Sequence, residues 1–79
     1  MNNVTVFLRT ALFTLGGDAP HIPHGTMVLR GESDFEGKGS VLVIQASEYM
    51  DHRGKALDGS AAKLSIPMSK VDHILHHTA

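Results

Sequence analysis

The stretch SVLVIQASEYM, residues 40–50, limits the possible folds more than any other part of the chain. Its β-branched and aromatic side chains suit an extended, pleated backbone. Val41, Val43 and Tyr49 fall on one phase of a strand, and Leu42, Ile44, Ala46 and Met50 on the other. A strand apolar on both faces needs neighbours at its edges and cover over each side. The chain has 79 residues and no cysteine with which to provide them. A domain of that size buries only about two thirds of its unfolded surface, and disulfides cannot supplement the core. Residues 1–79 are therefore expected to form one domain, with the other segments building a sheet around 40–50.

Residues 3–15, NVTVFLRTALFTL, carry two periodicities. Val4, Leu8, Ala11, Leu12 and Leu15 fit a helical stripe ending at Gly16, while Val4, Thr5, Val6, Phe7, Thr10, Phe13 and Thr14 favour a strand. The β-branched content decides for a strand, and because it is long, a bend or bulge near Arg9-Thr10 would let its two halves face different surroundings. Residues 16–25, GGDAPHIPHG, form a loop. A second strand is expected over 26–35, with Met27, Leu29 and Phe35 in phase and Gly31 marking a bend or a close backbone approach. A short turn at 36–39, EGKG, makes a hairpin with 40–50. Residues 51–60 read as a two-turn connection punctuated by Gly54 and Asp58-Gly59. Residues 61–66 give a fourth strand with Ala62, Leu64 and Ile66 in phase, ended by Pro67. Ser69 and Asp72 suit the start of a helical turn at 69–72, and residues 73–76 fit either a continued helix or a closing strand.

The expected fold is mostly β: a small four- to five-stranded antiparallel, partly open barrel of the SH3-like kind, with a short helical turn near the C-terminus. The ending IPMSKVDHI resembles the helical turn that precedes the last strand in many small barrels. That resemblance concerns the fold and carries no function.

Apolar residues on both faces of the first and third strands imply that something beyond the domain's own core covers part of them. Each large apolar side chain withdrawn from water contributes ~1.5–3 kcal/mol. Val4, Val6, Phe7, Leu42 and Ile44 are the expected interface, and a homo-oligomer, most simply a dimer, is the expected state. The plainer alternative is that these residues complete a self-contained core.

Composition narrows the function. Seven Lys and Arg are scattered and the formal charge is −1, so no basic patch for phosphates is evident. The few aromatics, Phe7, Phe13, Phe35 and Tyr49, make a poor base-stacking platform. Nucleic acid is an unfavoured partner. The apolar run 41–44 is far short of a membrane span, and the N-terminus lacks the basic start of a signal peptide. A soluble, cytoplasmic protein is expected, with no membrane partner.

Six histidines stand out. On a helix His73, His76 and His77 would share a side, and His73 and His77 could grip one divalent Zn, Ni or Cu ion, with His21, His24 or Asp72 completing the set. On a strand they would separate. No established metal signature matches, and a solvated terminal face is the plainer account. The same cluster suggests a pH response: six protons move the charge from −1 to +5, and like charges gathered at 73–77 would weaken association below about pH 6.

The remaining motifs point to turns and solvated faces rather than chemistry. Asp51-His52 with Ser47 or Ser60 lacks any nucleophile-elbow motif. Glu32, Asp34 and Glu36 fit a solvated strand face. Asp51 and Asp58 lack calcium-loop spacing, and neither Gly16-Gly17 nor Gly37-Lys38-Gly39 leads into a phosphate-binding helix. The expected function is a non-enzymatic β-barrel interaction module that self-associates and binds a protein or peptide. The alternatives are a histidine-based metal- or small-ligand-binding protein and, less favoured by charge, an RNA-binding barrel. No bound cofactor is expected beyond such a metal.

Overall fold

A computed structural model describes residues 2–12, 22–33 and 39–77. They form one antiparallel sheet of six strands: β1 (Asn2–Leu8), β2 (Val28–Ser33), β3 (Val41–Met50), β4 (Ala56–Leu57), β5 (Ala62–Pro67) and β6 (Val71–His76). A 3-10 turn, Met68–Lys70, joins β5 to β6. The lateral order is β4-β3-β2-β1-β6, and β5 pairs with the half of β3 that β4 leaves open. Phe13, Leu15, the start of the 16–25 loop, Asp34, Phe35, Glu36 and the first part of the 36–39 turn lie outside the described residues. Among the described residues no helix is long and apolar enough to cross a membrane.

The register requires the sheet to curl. Pro67 lies opposite Val41 of β3, whereas Val71 lies opposite Leu8 of β1. In a flat sheet four strand spacings would separate β5 from β6, about 19 Å. The chain from Pro67 to Val71 reaches at most about 14 Å even when fully extended. Two backbone bonds hold the connection: Met68 N–H donates to Ser40 O (2.8 Å) and Arg9 N–H to Lys70 O (2.7 Å). The sheet therefore wraps round, and among the described residues no β5–β6 ladder closes it. The helical turn expected at 69–72 takes the form of this 3-10 turn at 68–70, and 71–76 is strand because β6 finds a long-range partner in β1.

The core lies on the concave side. Val4, Val6, Leu8, Leu29, Leu42, Ile44, Ala46, Tyr49, Ala62, Ile66 and Val71 are buried there with Ile22. Leu64 and Ile74 pack against them. On β3, burial follows Leu42, Ile44 and Ala46 and then jumps three places to Tyr49. The cause is a bulge: Arg30 faces Glu48 while Gly31 faces Ala46, leaving Ser47 as an extra residue. One extra residue inverts the in–out alternation, so Tyr49 joins the core face although period-2 counting places it opposite. This corrects the expectation of two apolar faces along the whole strand.

Gly31 makes the bulge possible. A Cβ there would collide with Gln45 O and lie 2.8 Å from Gln45 C and 2.9 Å from Ala46 Cα. All three are backbone atoms of the neighbouring strand, so the close approach expected at this glycine is observed.

Strand β1 ends earlier than residue 15. A bend at Arg9-Thr10 takes the chain out of the ladder, and Leu12 returns to donate its N–H to Thr26 O (2.9 Å). Strand β4 has no sign in the sequence, since two residues carry no readable alternation. It follows a tight turn in which Asp51 Oδ1 accepts the N–H of Arg53 (2.8 Å) and Lys55 (3.0 Å), with Gly54 at φ 80°. The expected second turn at Asp58-Gly59 is absent. Gly59 serves packing instead: a Cβ would lie 2.6 Å from Pro23 Cδ and 2.7 Å from the Tyr49 ring.

Candidate functional site

The expected interface set is placed differently from its sequence reading. Val4, Val6, Leu42 and Ile44 are at most 2% exposed and form the centre of the chain's own core. They offer no surface to a partner. Phe7 is the exception, half-buried on the outer face. The surface carries other large apolar side chains: Leu75 on β6 is 50% exposed, and Val41 and Val43 on β3 are 47% and 42% exposed.

Strand β6 holds the histidine cluster. Residues directly opposite in an antiparallel pair share a sheet face. His73 lies opposite Phe7 and Leu75 opposite Thr5, so both belong to the outer face with Phe7. Ile74 lies opposite Val6 on the core side. His76, opposite Val4, falls on that side too, but at the strand end where it remains exposed. A bulge between Phe7 and Leu8 leaves Asp72 as the extra residue before His73.

Each of two histidines has its own local partner. The His73 ring stacks on Phe7 with centroids 4.2 Å apart and planes 12° from parallel, and its Nδ1 lies 2.7 Å from Asp72 Oδ2. An Nδ1–H donating to the carboxylate would fix the tautomer and the ring plane. His77 Nε2 lies 2.6 Å from Thr5 Oγ1, and His77 N–H donates to Asn3 O (2.9 Å). Thr5 is a buried polar residue on the outer face, and this contact satisfies its hydroxyl. The cluster thus clips the last strand to β1.

The spacing separates potential metal ligands. His73 and His77 stand two strand periods apart, about 13 Å along the backbone. Two imidazoles on one zinc ion would each approach it to ~2.0–2.1 Å. Among the described residues no group of three or more His, Asp or Glu is placed to hold a metal ion. His24 sits in the turn before Gly25, away in sequence from β6, and His21 lies outside the described residues.

The other candidates take structural roles. Asp51 organises its turn, and the N–H groups of Lys55 and then Arg53 hold its carboxyl below the usual range. Ser47 occupies the bulge, its hydroxyl 3.4 Å from Arg30 O. Tyr49 donates its hydroxyl to Ser60 O (2.7 Å), and burial raises its phenol above the ordinary value. Arg30 and Glu48 face each other across β2 and β3 at 3.5 Å, an exposed pair of the kind worth ~0–1 kcal/mol.

The chemically distinctive feature is an edge. Strand β6 pairs with β1 on one side, and among the described residues no strand pairs with its other side. Sequence reasoning allows binding along an open strand edge but does not assign it to β6, because residues 73–76 fit either helix or strand; the signal available is the β-branched Val71 and Ile74 flanking Asp72-His73. Comparisons with protein-family models, with curated proteins and with solved structures give no match to this chain.

Proposed function

We propose that this chain is a small non-enzymatic interaction module, built on a partly open SH3-like barrel, that self-associates and binds a protein or peptide partner. The observation that carries this reading is the side of β6 left unpaired among the described residues, with half-exposed Leu75 near the strand's C-terminal end. An unpaired strand offers a ladder of backbone donors and acceptors, and a neighbouring apolar side chain adds affinity and register. The barrel reading draws support from the strand order, the curl imposed by the short β5–β6 connection and the 3-10 turn before the last strand. A cysteine-free sequence suits a reducing compartment, which supports a cytoplasmic setting.

Native mass spectrometry of untagged protein tests the reading. The expected result is a multimer of this chain with no added metal mass. A monomer carrying a stoichiometric divalent ion would replace it with the histidine-based binding function.

A further inference from the structure

Strands β6 and β5, the two long strands at the margins of the curled sheet, are not equivalent as pairing surfaces; the third marginal strand, β4, has only two residues. His77 N–H donates to Asn3 O, so the backbone of His77 turns toward β1. Backbone direction alternates along a strand. Leu75 and His73 therefore also turn toward β1, while Ile74 and His76 direct N–H and C=O outward. On β5, Met68 N–H donates to Ser40 O, and the same alternation sends Lys63, Ser65 and Pro67 outward. Proline brings no donor to that side and Lys63 places a charge beside it, two features that discourage strand addition. Residues 71–76 contain no Pro, Lys or Arg.

We propose that β6 pairs antiparallel with β6 of a second copy of this chain, about a two-fold axis at Leu75. In this register Ile74 stands opposite the second copy's His76, and His76 opposite the second copy's Ile74. Both are narrow pairs, so the outward N–H and C=O groups of the two residues are satisfied on both chains. Leu75 meets its own copy across the axis as a wide pair, the arrangement in which opposed side chains come closest. Its half-exposed side chain gains an apolar neighbour. The outer-face residue beside it, Phe7, continues the apolar strip through its stack on His73.

The symmetry and the charge of the strip select the occupant. Asp72 is the sole carboxylate of β6, and it already lies against His73 Nδ1. With histidine neutral, that one carboxylate is the only formal charge of the strand, too little to draw a strongly charged peptide. A second copy supplies the apolar counterpart to Leu75 and matching backbone groups at once. An isologous contact of this kind closes at two subunits. Only residues 74–76 of the two β6 strands overlap in this register, an area well below that of a standard interface, so dissociation in the micromolar range or weaker is expected.

The inference rests on the self-associating reading above, and sedimentation velocity over a concentration series separates the two. Wild type is expected to move between monomer and dimer. Leu75→Lys, at an exposed side chain, is expected to raise the dissociation constant by about tenfold or more. His76→Pro removes an outward N–H while leaving the β1 ladder intact, and is expected to do the same. Ser65→Pro, which removes an outward N–H from β5, is expected to leave the dimer unchanged. Thermal unfolding checks that each variant folds; should His76→Pro not fold, Leu75→Lys decides alone. A dimer unaffected by Leu75→Lys overturns the β6 pairing while leaving self-association standing. So does a dimer abolished by Ser65→Pro in a folded protein, or a ring or open polymer in place of two subunits. A wild type monomeric throughout removes both self-association and this pairing.

Discussion

Replacing Gly31 by alanine tests how the bulge shapes the core. The added methyl would meet Gln45 O, Gln45 C at 2.8 Å and Ala46 Cα at 2.9 Å. These atoms belong to the backbone of β3, which is itself fixed by ladders to β2, β4 and β5. No side chain can rotate away, so β2 and β3 must separate at the bulge. Overpacking in a well-filled site costs ~1–3 kcal/mol, and a backbone clash belongs at the upper end. Alanine also restricts the unfolded chain, which returns ~0.4–1 kcal/mol. The net loss is about 2 kcal/mol, which for a domain of this length lowers Tm by about 8–16 °C. Differential scanning calorimetry measures it directly. A Gly31→Ala protein melting within about 2 °C of wild type would mean that the strands do not approach this closely, and the inversion that brings Tyr49 inward would need another cause.

Three further outcomes follow from the same packing. Ile44→Ala empties a fully buried site at the centre of the core and is expected to cost ~2–5 kcal/mol in chemical denaturation, whereas an Ile44 used at an intermolecular contact would alter association more than monomer stability. Tyr49→Phe removes the bond to Ser60 O and is expected to cost ~0.5–1.5 kcal/mol. Because burial raises the Tyr49 phenol, its contribution to stability is intact below the ordinary tyrosine range and is lost as pH rises through the folded value; Tyr49→Phe should lessen the alkaline fall in Tm. Asp51 has the opposite sign. Its lowered carboxyl stabilises the turn above the ordinary carboxylate range, and that support disappears as pH falls through the folded value, so Asp51→Ala should lower Tm at neutral pH and converge with wild type in strong acid.

Much of the sheet is legible in the sequence because its signals are local. Alternation marks β1, the first half of β3 and β5, Pro67 marks the end of β5, and Gly31 announces a close approach. What escapes is non-local. The extra Ser47 becomes visible only when β3 is aligned with β2, and without it Tyr49 is assigned to the wrong face. Two-residue β4 has no period to detect. The choice of strand for 73–76 depends on β1, whose Thr5 meets His77 across 72 positions of sequence. The same choice reshapes the candidate site: a helix would gather His73 and His77, whereas the strand spaces them apart and turns attention from their side chains to the backbone edge they accompany.

Association through β6 depends on two amide protons. Residue-resolved hydrogen exchange by NMR, on dilute and concentrated samples of the wild-type chain, reads them directly. The N–H groups of Ile74 and His76 should exchange freely when dilute and become protected as concentration rises, while those of Lys63 and Ser65 stay fast at both. Equal exchange at Ile74 and His76 across the series, or concentration-dependent protection at Lys63 and Ser65 instead, would contradict the claim that β6 is the edge through which this protein associates.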